Sequence, residues 1–209
     1  MRILIADDHA VVRRGLKEIL AEEFHKAWFG EAESGAETIQ QVRQNDWDVL
    51  ILDISMPDRS GLEVLKDVKA VRPNLPVLVL SVHPEDQYAV RTLKAGAAGY
   101  LTKETAPDKL VEAVNKAVSG GQYVSVSLGE RLADDVRKGR DGLPHEGLSD
   151  REYEVMCMIA SGKLVSEIAE ELSLSIKTVS TYRTRALEKM GIKSNAALMR
   201  YAIDHKLVD

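Results

Sequence analysis

Three aspartates follow short, unbroken apolar runs. Ile3-Leu4-Ile5-Ala6 leads into Asp7-Asp8, and Val49-Leu50-Ile51-Leu52 leads into Asp53. A run without polar alternation is the pattern of a strand covered on both faces of a parallel sheet. In open α/β sheets, ligands bind just beyond the carboxyl ends of such strands. Carboxylates converging from two strand ends repel one another unless they share a cation, and a hard divalent ion such as Mg²⁺ suits oxygen ligands. Two more runs end in polar chemistry: Val77-Leu78-Val79-Leu80 in Ser81, and Ala98-Gly99-Tyr100-Leu101-Thr102 in Lys103. Acid pair, acid, hydroxyl and ammonium thus arrive in chain order, each at the end of an apolar segment.

Singly, each residue has an ordinary reading. An Asp at a strand end is a turn former or helix cap, Ser81 a cap, and Lys103 a solvated charge. Jointly, caps alone give no reason for this set of residue types around one sheet edge.

The elements that must position these groups are legible from residue 1 to 119. Apolar runs alternate with amphipathic windows, the βαβ signature of a doubly wound sheet. Strands are expected near 2–6, 28–32, 48–53, 77–81 and 98–102, each followed by a helix. The last of these helices runs from about Pro107 to Val118, with Pro107 suited to a first turn. Gly120-Gly121 ends it, a short helical segment follows at about 127–138, and the Gly/Pro-rich decapeptide from Lys138 to Gly147 reads as a linker.

Residues 1–119 resemble the receiver domain of bacterial two-component response regulators. The matching positions are Asp7-Asp8, Asp53 with Met56-Pro57 and Gly61, Ser81, and Lys103 followed by Pro107. The resemblance implies a five-stranded parallel sheet of the flavodoxin-like kind. It implies that Asp53 accepts a phosphoryl group from a sensor histidine kinase or a phosphotransfer protein. Asp8, Asp53 and the backbone carbonyl of Ser55 would then hold Mg²⁺, with Asp7 acting through metal-bound water. Lys103 would pair with the phosphoryl oxygens, the Ser81 hydroxyl would move to meet one of them, and Tyr100 would change rotamer in concert. Ser81 stands where many receivers carry Thr.

From Leu148 the pattern is wholly helical. Ser149 with Glu152 forms a capping box, and Tyr153, Met156, Ile159 and Ala160 give a core stripe. Helices follow at about 165–172, 176–190 and 194–205. The second and third, joined by Ser173-Leu174-Ser175, read as a helix-turn-helix. Between Lys177 and Lys193 stand five basic residues and one acid, Glu188. Such a run is often only a solvated face; in a two-helix context it reads as a DNA-facing helix.

Leu148 to Val155, Ile168 to Leu172, Thr178-Val179-Ser180 and Lys189-Met190-Gly191 resemble a LuxR-type DNA-binding domain. The whole chain is therefore similar to a response regulator of the NarL/FixJ class: receiver at 1–119, linker with a short helix at 120–143, and a small all-α four-helix domain at 144–209. Lys177, Ser180, Thr181 and Thr184 share one side of the third helix and are expected to read base edges. Thr178, Arg183, Arg185 and Lys189 are expected to hold phosphates, which give affinity without sequence information. Ser180 and Tyr182 stand where many relatives carry Lys and His, so the preferred bases here would differ. The resemblance places dimer contacts on the last helix, at Ala197, Leu198, Tyr201 and Ala202. Leu164-Val165 replaces a commonly polar pair, an apolar surface for the receiver or a partner to cover. A homodimer on two operator half-sites is the expected active form, with RNA polymerase a further partner.

Composition narrows the alternatives. A net charge of −5 argues against a general polyanion binder. No run reaches the ~20 apolar residues that span a bilayer, and no signal-like segment precedes the strand at Arg2, so a cytoplasmic protein is expected. Cys157, the only cysteine, sits in an apolar helix stripe and reads as a buried, inert thiol. A haloacid-dehalogenase-like phosphatase would need a second acid two residues after Asp53, where Ser55 stands. A phosphorylation-gated protein-interaction switch without DNA binding is the other reading. The chain is expected to be no enzyme beyond its own phosphoryl transfer and dephosphorylation.

Overall fold

The computed structural model of the 209-residue chain describes residues 1–56, 59–130, 143–205 and 207–208. It divides into two compact units, Met1–Gly129 and Glu130–Asp209.

The first unit holds five parallel strands: β1 (Arg2–Ala6), β2 (Trp28–Ala32), β3 (Val49–Asp53), β4 (Val77–Ser81) and β5 (Gly99–Thr102). Their order in the sheet is β2-β1-β3-β4-β5. Strands β3 and β4 are buried at every residue, as their unbroken apolar runs predicted. The connecting helices are α1 (Ala10–Glu23), α2 (Gly35–Gln44), α3 (Gly61–Val71), α4 (Glu85–Lys94) and α5 (Ala106–Val118). Because side chains alternate across a strand, Ile3, Ile5, Val49, Ile51, Leu78 and Leu80 share one face. They form a single core with Leu16 and Leu20 of α1 and Leu110, Ala113 and Val114 of α5. Leu4, Leu50, Leu52 and Val79 occupy the alternate positions and are equally buried.

Topology makes the site. The strand order reverses at β1, so the carboxyl ends of β1 and β3 flank a crevice of the kind where such sheets bind ligands. Asp53 pairs in register with Leu80 of β4, and Ser81 with Thr102 of β5. The four strand ends are therefore level with one another.

After α5 the chain returns to the sheet. The Tyr123 N–H donates to the Ala98 carbonyl at 2.7 Å, residue 123 bridges Gly99, and Tyr123 joins the core. These contacts explain why the first compact unit extends to Gly129. Of the expected helical segment at 127–138, residues 127–130 are helical; the rest, and half of the expected linker from Lys138 to Gly147, lie outside the described residues.

The second unit contains a 3-10 turn (Pro144–Gly147) and helices α6 (Asp150–Ala160), α7 (Val165–Glu171), α8 (Ile176–Met190) and α9 (Asn195–Asp204). The Ser149–Glu152 capping box forms in both directions, and Cys157 is buried. Ser175 caps α8 by accepting the Thr178 N–H. Gly191 closes that helix at φ 66°, a left-handed conformation that favours glycine. Val179, Ala186 and Met190 of α8 are buried, and α8 packs on both α6 and α7.

Candidate functional site

Lys103 draws the pocket together. Its Nζ lies 2.8 Å from Asp53 Oδ2 and 2.7 Å from Asp7 Oδ2. Both aspartates are 1% exposed. Unpaired, two buried carboxylates would be costly; the ammonium between them offsets much of that cost. Burial pushes the Asp53 carboxyl above the usual carboxylate range, Lys103 pulls it back, and Asp7 raises it again, leaving it raised. Burial pulls the Lys103 ammonium down, and the two carboxylates more than reverse this, leaving it raised.

The loop after β3 is set by its own backbone. The Ser55 N–H donates to Asp53 Oδ1 at 3.0 Å, and the Gly61 N–H donates to the Ile54 carbonyl at 2.9 Å. A Cβ at Gly61 would fall 2.4 Å from Ile54 Cα and 2.5 Å from the Asp53 carbonyl oxygen. Glycine is needed there because the loop folds back onto the strand end it leaves. Pro57 lies outside the described residues.

On the far side, Ser81 is fully buried and its Oγ accepts the His83 N–H at 3.0 Å. The Tyr100 ring is also fully buried, its hydroxyl donating to the His83 carbonyl at 2.9 Å. Burial raises the pKa of that phenol, so it remains a donor. Both residues expected to move are thus tied to the same loop between β4 and α4.

Two residues of the pocket escaped the sequence reading. Arg13 of α1 is buried; it donates to the Asp7 carbonyl at 2.8 Å and pairs with Glu31 and Glu33. Its signal was available, because Arg13, Leu16 and Leu20 fall on one buried stripe of α1. An arginine in a core stripe implies carboxylate or carbonyl partners. The second is His9, whose Nδ1 lies 2.8 Å from Asp8 Oδ1.

The donor set fits a hard divalent cation. Asp7, Asp8, His9 and Asp53 each present one ligand atom, all within 4.8 Å of one another. Asp8 Oδ1 is buried, with His9 Nδ1 2.8 Å away.

The expected DNA-facing side chains divide into two groups. Lys177, Thr181, Thr184 and Arg185 are exposed on α8, and Ser180 is half-buried. The Thr181 and Thr184 hydroxyls donate back to the Lys177 and Ser180 carbonyls at 2.9 Å each, so their donor capacity is taken up within the helix. Thr178, Arg183 and Lys189 have structural partners. Thr178 shares a 2.8 Å contact with the capping Ser175 hydroxyl. Arg183 Nε donates to Asn195 Oδ1 at 2.7 Å. Lys189 Nζ lies 2.6 Å from Glu152 Oε2 of the α6 capping box.

The expected dimer contacts come out differently. Ala197 is exposed, but Leu198 and Ala202 are 1% and 0% exposed. Tyr201 is half-buried, with its hydroxyl 2.8 Å from His145 Nδ1. Leu198 and Ala202 sit one helical turn apart on the inward side, because α9 must cover α6. Met199 and Ile203, at the same spacing, are the large apolar side chains exposed on α9. Leu164 also stays exposed, at 64%.

Residues 3–115 match the family model for the response regulator receiver domain, and residues 146–202 the model for bacterial regulatory proteins of the luxR family. The chain belongs to the response regulators. It is a NarL/FixJ-class member, with a receiver followed by a LuxR-type helix-turn-helix domain, a transcription regulator of a two-component system. The response regulator UvrY of Escherichia coli is 35% identical over 208 residues, covering 99% of this chain and 95% of UvrY. GacA of Pseudomonas aeruginosa is 34% identical over 210 residues, covering 100% and 98%. Among solved structures, RcsB of Salmonella enterica serovar Typhimurium, bound to the rprA promoter in the presence of the phosphomimetic BeF₃⁻, is 32% identical. It covers 96% of this chain and 97% of RcsB, with a TM-score of 0.63. Among the described residues of this response regulator, no helix is long and apolar enough to cross a membrane.

Proposed function

We propose that this response regulator takes a phosphoryl group onto Asp53 from a histidine kinase and thereby licenses its helix-turn-helix domain to dimerise on operator DNA. The observation that carries this reading is the buried Asp53 carboxylate held by Lys103 beside Asp7 and Asp8 at level strand ends. An Asp53 oxygen attacks phosphorus as the bond to the donor's imidazole nitrogen breaks, giving an acyl phosphate. Lys103, already in contact with Asp53, pairs with a phosphoryl oxygen. Asp8, Asp53 and the Ser55 carbonyl would hold Mg²⁺, Asp7 acting through water; the ion supplies neutralisation of the phosphoryl charge.

The added group carries about −1.5 to −2 charges. Ser81 leaves the His83 N–H to donate to a phosphoryl oxygen, and Tyr100, bonded to the same loop, follows. The β4–α4 loop is the element whose two arrangements the phosphoryl group biases. Residues 1–119 act as receiver, 120–143 as linker and 144–209 as output. In that output Lys177, Ser180, Thr181 and Thr184 face base edges, and Arg185 holds phosphate with Thr178, Arg183 and Lys189 nearer the rim. RcsB seen on promoter DNA in the presence of a phosphomimetic supports DNA binding by the phosphorylated form here. A dimer would meet through Ala197 with Met199 and Ile203.

The test is selection of bound fragments from a random DNA library, with and without acetyl phosphate and Mg²⁺. Enrichment of a two-fold-related site that grows with phosphodonor and vanishes in Asp53→Asn is the expected result. Equal enrichment in both conditions would remove phosphorylation as the gate.

A further inference from the structure

We propose that His9 is a nitrogen ligand of the receiver pocket and shifts its preference from Mg²⁺ towards first-row transition-metal ions. The inference rests on reading the pocket as a divalent-cation site, and concerns which ions it takes. His9 follows Asp8 directly, and its backbone N–H donates to Asp7 Oδ1 at 2.8 Å. That bond turns the imidazole towards the carboxylates, with Nδ1 at 2.8 Å from Asp8 Oδ1 and 3.3 Å from Asp7 Oδ1.

Two donors on one octahedral ion, each at about 2.1 Å, are about 3.0 Å apart. The 2.8 Å spacing between His9 Nδ1 and Asp8 Oδ1 is that of neighbouring ligands. The imidazole's contacts are with these same carboxylates, the one to Asp7 Oδ1 being a hydrogen bond. His9 occupies the N-cap of α1 but makes no side-chain cap hydrogen bond. At 65% exposure, the ring is open to solvent.

Two carboxylates and a carbonyl, with a third carboxylate reached through water, suit Mg²⁺, which gives up its waters reluctantly. Replacing one water by imidazole favours ions further along the transition series, for which nitrogen donors are better matched. His9 would therefore decide ion preference without being needed for Mg²⁺ itself.

The test uses the full-length, tag-free protein stripped of metal, with Mn²⁺ as probe and pulsed electron paramagnetic resonance as readout. Pocket occupancy is the Mn²⁺ binding that Asp8→Asn abolishes. The expected result is a ¹⁴N coupling on pocket-bound Mn²⁺ in the wild type that is absent from both His9→Gln and His9→Phe. Mn²⁺ affinity should fall about tenfold in both variants, and Mg²⁺ affinity, read by competition, by less than about threefold. Wild-type Mn²⁺ that Asp8→Asn displaces but that shows no ¹⁴N coupling, or a coupling that survives in both variants, overturns the role of His9 alone. No Mn²⁺ or Mg²⁺ binding, or binding indifferent to Asp8→Asn, overturns the cation reading with it.

Discussion

The receiver pocket and the exposed face of α8 are both rows of polar side chains, yet they are built on opposite terms. Asp7, Asp53 and Ser81 are buried, come from three strand ends and contact a fourth through Lys103. Lys177, Thr181, Thr184 and Arg185 lie on one helix and face solvent. Burying a charge is costly unless it is paired, so the pocket holds its geometry at the expense of folding energy. The helix face carries no such cost, and its residues answer only to what binds them. Changes in the pocket must therefore move stability and function together, and changes on the α8 face must move function alone.

The largest test is Asp53→Asn, with complete loss of phosphate incorporation from acetyl phosphate, read on a phosphate-affinity gel. Retained incorporation would mean that another acceptor exists and that the pocket's buried charges serve the fold only.

Helix α9 sharpens the contrast within one element. Leu198→Ala should cost about 2–5 kcal/mol in urea denaturation, since it empties a buried site. Ile203→Ala, 55% exposed, should stay within about 0.5 kcal/mol while weakening dimerisation on sedimentation analysis. Equal stability losses would mean that the two faces of α9 are not distinct.

On α8, Arg185→Ala should lower the dependence of log affinity on log salt by about 1, as one lost phosphate contact would, and leave the denaturation midpoint in place. Lys189→Ala should lower the denaturation midpoint as well, because its ammonium holds Glu152. Burial pushes the Glu152 carboxyl up, but that contact and the Ser149 hydrogen bonds together keep it below the ordinary range. A lowered carboxyl contributes stability above about pH 4.5 that is lost as pH falls. The cost of Lys189→Ala should therefore fade in acid.

What could be read beforehand follows the same division. Strand positions and the acid–acid–hydroxyl–lysine set were legible because an unbroken apolar run ending in a charge fits little besides a buried strand that reaches the sheet edge. Helix α8 was legible as an element, its bounds coinciding with the expected 176–190. The individual duties on it were not. Sequence spacing gives the face of Lys189 and Arg183, but not that Glu152 and Asn195 lie within reach. Leu198 and Ala202 were expected at an interface because an apolar stripe looks the same whether a neighbouring helix or a second copy covers it. The charge of Arg13 does not mark it as a pocket residue; the signal lies in its place beside Leu16 and Leu20 on the buried α1 stripe.

The smallest expected effect tests whether the pocket is strained by its own charge. The raised pKa of Asp53 comes first from burial, so the fold favours the protonated form. Below the unfolded value of 3.8, Asp53 is neutral in both states and carries no penalty. As pH rises through the raised folded value, the folded state must hold a charge that the unfolded state solvates freely, and stability is lost. Lys103, also raised, contributes stability that persists until pH exceeds about 10.5 and so does not alter this window. Asp53→Asn removes the buried charge while keeping its shape. The variant should therefore be more stable than the wild type at pH 7, with the gap closing as pH approaches 4 in urea midpoints at pH 7, 5.5 and 4.5. A gap that stays constant with pH would place its origin in packing. A variant less stable at pH 7 would show that the Lys103 contact outweighs the burial of Asp53, and the pocket would then be held by attraction and not by strain.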